Sequence, residues 1–218
     1  MLSFVGGCIG CVGYIYLFHS LLGVMTANTM IGLIEILQGD LHHAIFHILF
    51  VCGFLVAVAI HKTYAAVSGE HGSHKITKYL ILEVLIILLC CALGTYALSH
   101  GQLREPNPLA LLITVIGSVA VYLQNYVVMH GYPVPTNTSF MTGNYVSWVG
   151  SVVSLMVQRS ENAKKEVIHF TAVHVCFGFG VICSAILSKW LDFFTLLVPC
   201  ALICTYIVAR YRHLNKAA

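Results

Sequence analysis

With 218 residues, 59% of them hydrophobic and only 9% charged, the chain has too few charges to coat a water-soluble surface of its size. Soluble domains carry roughly 25% charged residues, so a bilayer must replace much of the water around this chain. The net charge of +3 comes from short clusters between apolar runs, which excludes the basic, aromatic-interleaved stripe of a nucleic-acid binder. The nine cysteines lie almost entirely inside the apolar runs and read as small buried hydrophobes. Cys8-x-x-Cys11 has no second pair at zinc-site spacing.

In chain order, the first apolar run covers about 2–23 and lacks the basic head of a secretory signal, so it reads as a retained span. Its Gly6, Gly7, Gly10 and Gly13 form a small-residue ladder suited to close helix approach. A polar break follows, Met25-Thr26-Ala27-Asn28-Thr29, and then a short helical stretch to about 38 that carries Glu35. Residues 29–38 would make a helix of ~15 Å, half the hydrocarbon thickness. Asp40, His43 and His47 lead into the second run, about 44–61, and share one helical face at i, i+3 and i+7. His71 and His74 stand in a polar loop before the third run, about 77–99, which contains Glu83. Pro106 and Pro108 mark a linker.

The fourth run, about 109–130, carries the adjacent amides Gln124 and Asn125, which point to different helix faces. A second break, Met141-Thr142-Gly143-Asn144-Tyr145, opens a segment over 140–158, long enough at ~28 Å to reach across a membrane. Runs at about 167–187, with Gly178 and Gly180, and at about 190–211 complete the chain.

The two breaks share the pattern Met-Thr-small-Asn, and each follows one long apolar run and precedes two more. The chain therefore reads as a tandem duplication: a first membrane repeat over 1–100, a linker over 101–108 and a second repeat over 109–218. Charge placement orients it. If six runs span and the two Met-Thr segments dip in and return, Lys62, Lys75, Lys78, Arg159, Lys164, Lys165, Arg210, Arg212 and Lys216 share one side, leaving Arg104 and Lys189 opposite. The positive-inside rule then places both termini in the cytoplasm. An eight-span arrangement splits the charges less cleanly. Three spans per repeat make the second repeat inverted relative to the first, as in many transporters and channels. The expected fold is thus an all-α polytopic membrane protein of two inverted-topology repeats, each with three transmembrane helices plus a short or re-entrant helix.

Met25-Thr26-Ala27-Asn28-Thr29 with Gln38-Gly39-Asp40, Leu123-Gln124-Asn125, Met141-Thr142-Gly143-Asn144 and Ile81-Leu82-Glu83-Val84-Leu85 resemble the YoaK-like bacterial membrane proteins, a family grouped as a domain of unknown function. The resemblance runs over almost the whole chain. It implies a multi-pass protein of the bacterial inner membrane and no particular substrate. The chain departs from that family at Gly10, where an acidic residue is often found, and at Ala27, where Gly is common.

Thr26, Asn28, Thr142 and Asn144 are residue types that cap helix N-termini. Two such termini entering from opposite faces would aim N–H groups and positive dipole ends at the midplane, a setting for a polar or anionic solute. Gln124 and Asn125 would add polarity, or tie helices together. Glu35 and Glu83 are candidates for proton coupling. Asp40, His43 and His47 offer ligands to a transition metal, or else sit near the headgroups where His is cheap.

Three function classes follow. They are a transporter or channel for a small polar or anionic solute at the repeat interface, a membrane metal-binding or metal-handling protein, and a non-transport partner or scaffold whose motifs serve packing. Asn28 and Asn144 are expected to meet near the midplane around a shared polar cavity. No phosphate-binding loop, hydrolase elbow or nucleophile–base set is present and no cofactor is called for. The expected partners are the lipid bilayer and the solute, an oligomer being compatible with the sequence and nucleic acid not.

Overall fold

A computed structural model describes residues 1–67, 74–131, 134, 136–139 and 141–217, with side chains described except at 74, 75 and 213–217. His71 and residue 140 therefore lie outside the described residues, as do the side chains of His74, Lys75 and Lys216. The described residues form eight α-helices and one 3-10 turn: α1 Leu2–Tyr16, α2 Met25–Gln38, α3 Leu41–Val67, α4 His74–Ser99, α5 Pro108–Gly131, α6 Met141–Gln158, α7 Glu161–Leu191, the turn Asp192–Leu196, and α8 Leu197–Ala217. No strand occurs among them.

Among the described residues four stretches are long and apolar enough to cross a membrane: Leu41–Val67, Ile76–Ser99, Pro108–Gly131 and Glu161–Arg212. The last holds two helices, because Asp192 takes φ 47° and the following 3-10 turn breaks α7 from α8. Large apolar side chains such as Ile60, Leu85, Val175 and Phe179 stay exposed along these helices. Contiguous exposure of that kind suits lipid rather than water.

The first apolar run is not helical to its end. The α1 helix stops at Tyr16, and Phe18 and His19 take φ 53° and 57°, a left-handed conformation costing roughly 1–2 kcal/mol per non-glycine residue. Ring contacts hold them there: Phe18 packs on Phe46 at 5.0 Å and His19 on Tyr14 at 4.9 Å. Met25-Thr26-Ala27-Asn28 is consequently the first turn of α2 and Met141-Thr142-Gly143-Asn144 the first turn of α6. This corrects the expectation that these tetrads are themselves the breaks.

Other boundaries follow their local signals. Gly39, at φ 83°, ends α2 while the Asp40 N–H donates to Glu35 O at 2.9 Å, a left-handed C-terminal cap. Pro108 opens α5, and Asn107 Oδ1 accepts from the N–H groups of Leu109 and Ala110, each at 3.0 Å.

Packing joins α1 to α7 and α3 to α5, α2 to α3 and α6 to α7, α4 to α5 and α1 to α8; α1 also meets α5, and α4 meets α8. Glycine makes the α1–α7 contact close. A Cβ on Gly7 would meet the Phe177 carbonyl, and one on Gly180 the Phe4 carbonyl. The Cys8 thiol donates to Gly180 O at 3.3 Å, and the Ser184 hydroxyl to Cys8 O at 3.2 Å. Gly10 and Gly178 stand in open space, so these two members of the ladders serve no close approach.

Candidate functional site

The two motif asparagines do the same thing. Asn28 Oδ1 accepts from the Leu21 N–H at 3.0 Å, while its Nδ2 donates to Leu21 O at 2.7 Å and Val24 O at 2.9 Å. Asn144 Oδ1 accepts from the Asn137 N–H at 3.3 Å, and its Nδ2 donates to Asn137 O at 2.6 Å. Each amide, buried on the first turn of its helix, reaches back seven residues and closes both backbone groups of the preceding segment. The α2 helix follows Val24 with no side-chain N-cap. Thr26 and Thr142 are exposed.

Among the described residues α2 and α6 make no contact. The expectation that Asn28 and Asn144 meet around a shared cavity is therefore corrected: the amides are saturated by their own chain segments and the helices that carry them lie apart. What does meet is the chain just before each helix. Gly23 lies against Ser139, where an added Cβ would fall 2.9 Å from the serine Cβ. Asn125 fastens this junction, accepting from the Thr138 N–H at 2.8 Å and hydroxyl at 2.9 Å and donating to Ser139 Oγ at 2.7 Å. Gln124, fully buried, donates to the Leu2 carbonyl, and its Oε1 has no partner among the described residues.

The remaining candidates form two separate places. Asp40 pairs with His43 at 2.9 Å, and this hydrogen bond holds the Asp40 carboxyl below its ordinary range. His47, fully buried, turns instead to Glu35, with Nε2 3.6 Å from Oε1. Burial pushes the Glu35 carboxyl up. The shared face of Asp40, His43 and His47 thus divides between two partners. Among the described residues no group of three His, Cys, Asp or Glu is placed to hold a metal ion, and the metal-binding alternative gains no support. Glu83 is fully buried on α4, away from that cluster, with neither oxygen hydrogen-bonded among the described residues.

Three cavities bear on function. One of about 280 Å³ lies at the junction of the pre-helix segments, walled by Gly6, Gly7, Gly10, Leu21, Val121 and Phe177 among others, and is almost wholly apolar. A second, of about 330 Å³, opens between the N-terminus of α1, the end of α5, the segment before α6, and α7 and α8. Its polar lining is Ser3, Thr136, Thr138, His169 and Tyr206. His169 Nε2 lies 2.7 Å from Thr136 Oγ1, whose hydroxyl also reaches Val134 O at 3.0 Å. The third is a small apolar void of about 10 Å³ lined by residues that include Val12, Leu22, Cys90, Gly117 and Phe193. Sequence reasoning passed over Thr136, Thr138 and His169. The only local signal was the polar run Thr136-Asn137-Thr138-Ser139 ahead of the second motif.

Residues 1–209 match the family described as "Protein of unknown function (DUF1275)", and the chain belongs to that family. No curated protein and no solved structure matches it.

Proposed function

We propose that this member of the DUF1275 family is a transporter for a small polar solute, whose two repeats offer equivalent cavities, one open and one closed. The observation that carries the reading is a correspondence between two of the cavities. Met1, Val128, Thr138 and Tyr206 line the open one; Gly117, Val12, Leu22 and Cys90 line the small apolar void. Each pair stands 116 positions apart. So do Asn28 and Asn144, Gly23 and Ser139, and Val84 and Cys200, whose thiol lies 4.0 Å from the Val84 carbonyl.

The same exchange of halves turns the α1–α7 contact into α5–α3, the α2–α3 contact into α6–α7, and the α4–α5 contact into α8–α1, while α1–α5 and α4–α8 map onto themselves. These relations support a repeat over 1–100 and another over 109–218, joined by the 101–108 linker. Inverted repeats place equivalent cavities on opposite sides of a membrane, and rocking one repeat against the other opens them in turn. The proposal includes six spans, with α2 and α6 not crossing, in a bacterial inner membrane with both termini cytoplasmic. In it Asn28, Asn125 and Asn144 position the walls, and the solute sits in the cavity beside Thr136, Thr138 and His169.

Native cysteines allow a test. Cys176 lines the open cavity and Cys90 the closed one. In single-cysteine variants reconstituted into vesicles, Cys176 should react with a small maleimide and Cys90 should not. Exchanging the two equivalent residues, Leu22→Thr with Thr138→Leu, should reverse that order. A folded exchange variant in which Cys90 stays protected and Cys176 stays reactive would refute two-sided access. The saturation of both motif amides favours a second reading, a non-transport scaffold, and that outcome would select it.

A further inference from the structure

Resting on the transport reading, we infer that the open cavity is a binding site for an uncharged solute bearing hydroxyl or amide groups, with Thr136 and His169 as its recognition pair. The cavity's size fits a small molecule. Its described lining holds no Lys, Arg, Asp or Glu. Bringing an ion into such walls leaves it without a charged side chain to pair with, at a penalty of several kcal/mol even after relaxation, so the lining side chains select against either sign of charge.

Hydrogen-bonding groups are concentrated instead of charges. The Thr136 hydroxyl donates to Val134 O, so its oxygen accepts from His169 Nε2–H across the 2.7 Å contact. The ring is then the Nε2–H tautomer, and its Nδ1 is left as an acceptor. Both hydroxyls of the Thr136–Thr138 pair belong to nearly fully buried residues. The Thr138 hydroxyl donates to Asn125 Oδ1, leaving its lone pairs to accept. The site thus presents acceptors, at Nδ1 and Thr138 Oγ1, among apolar walls from Leu2, Val128, Val173 and Cys176. Donors on a neutral solute, hydroxyl or amide N–H, are the complement. This revises the expected ligand from polar or anionic to neutral.

The test uses the full chain in proteoliposomes, with osmotic swelling followed by light scattering in glycerol, urea and potassium formate gradients against protein-free vesicles. Glycerol or urea should enter faster with protein present, and formate should not. His169→Leu should lower the protein-dependent rate about tenfold, the size of one lost hydrogen bond. His169→Gln, which keeps a donor toward Thr136 and an acceptor, should restore most of it. Thr136→Val serves if His169→Leu fails to fold. Passage of formate but not of the neutral probes, failure of both neutral probes, or neutral passage indifferent to His169→Leu and Thr136→Val would each overturn the inference. The Cys90 and Cys176 accessibilities report separately, so an inverted labelling order with no neutral flux removes this site assignment and leaves the transport reading standing.

Discussion

Asn28→Leu removes an amide that closes both backbone groups of Leu21 and touches the Val24 carbonyl. The two side chains are similar in size, so little of the effect comes from a cavity. Asn28 is completely buried, and water has no ready route to the groups it leaves behind. The Leu21 N–H would lack a partner, at about 1–3 kcal/mol, while the Leu21 carbonyl keeps the bond from the Val24 N–H at 2.8 Å. The Val24 carbonyl keeps bonds from the Ala27 and Asn28 N–H groups and adds little. The expected loss is therefore about 2 kcal/mol. For a chain of this length that corresponds to roughly 4–8 °C in midpoint.

The assay is the fraction of full-length protein, heated in detergent, that still elutes as a monodisperse peak. Asn28→Asp keeps the acceptor for the Leu21 N–H and loses the donations, so it should fall between parent and Asn28→Leu. Asn144→Leu should be milder than Asn28→Leu, because the bond from the Asn137 N–H is the longer one at 3.3 Å. An Asn28→Leu midpoint within about 1 °C of the parent would show that the amide does not hold the segment.

Glu83→Leu deletes a buried carboxyl with no hydrogen-bond partner among the described residues and should stabilise the protein by about 1–3 kcal/mol. Slower solute exchange in the same variant would mark Glu83 as functional, whereas a loss of stability would show a partner the side chain needs. Glu35 has its carboxyl raised above the ordinary value of 4.5 by burial. Such a group favours the folded state below its unfolded pKa, and that contribution is lost as pH rises through the folded value. Glu35→Gln should therefore raise the melting midpoint near neutral pH, with the gain shrinking as pH falls toward 4.5; a gain independent of pH would contradict this. Ser160→Cys, in the turn between α6 and α7, should label from the cytoplasmic face under six spans, and labelling from the periplasmic face alone would exclude that topology.

What was legible in the sequence, and what was not, divides along physical lines. The runs read at 77–99 and 109–130 fall within a few residues of His74–Ser99 and Pro108–Gly131, because hydrophobicity and the Pro and Gly punctuation are local signals. The place where the first run breaks was not local. It lies at Leu17–Val24, where Asn28 grips the main chain of Leu21, and any residue type supplies a main chain. His43 and His47 lie on α3, with Asp40 just before it, yet His47 answers to Glu35 on the preceding helix, a partner that periodicity within α3 cannot reveal. Thr136 and His169 are brought together only when α7 packs beside the segment before α6.

The proposed duplication rests on what the halves share, the Met-Thr-x-Asn tetrads. The proposed activity rests on what they do not share. Leu22 fills the closed void where Thr138 lines an open cavity, and Cys90 stands where Tyr206 does. Sequence comparison between the halves weights identity and passes over such positions. If the two cavities exchange roles during transport, the differences between the repeats set which state is preferred at rest. Substitutions that make equivalent positions alike should then draw the two states toward equal population.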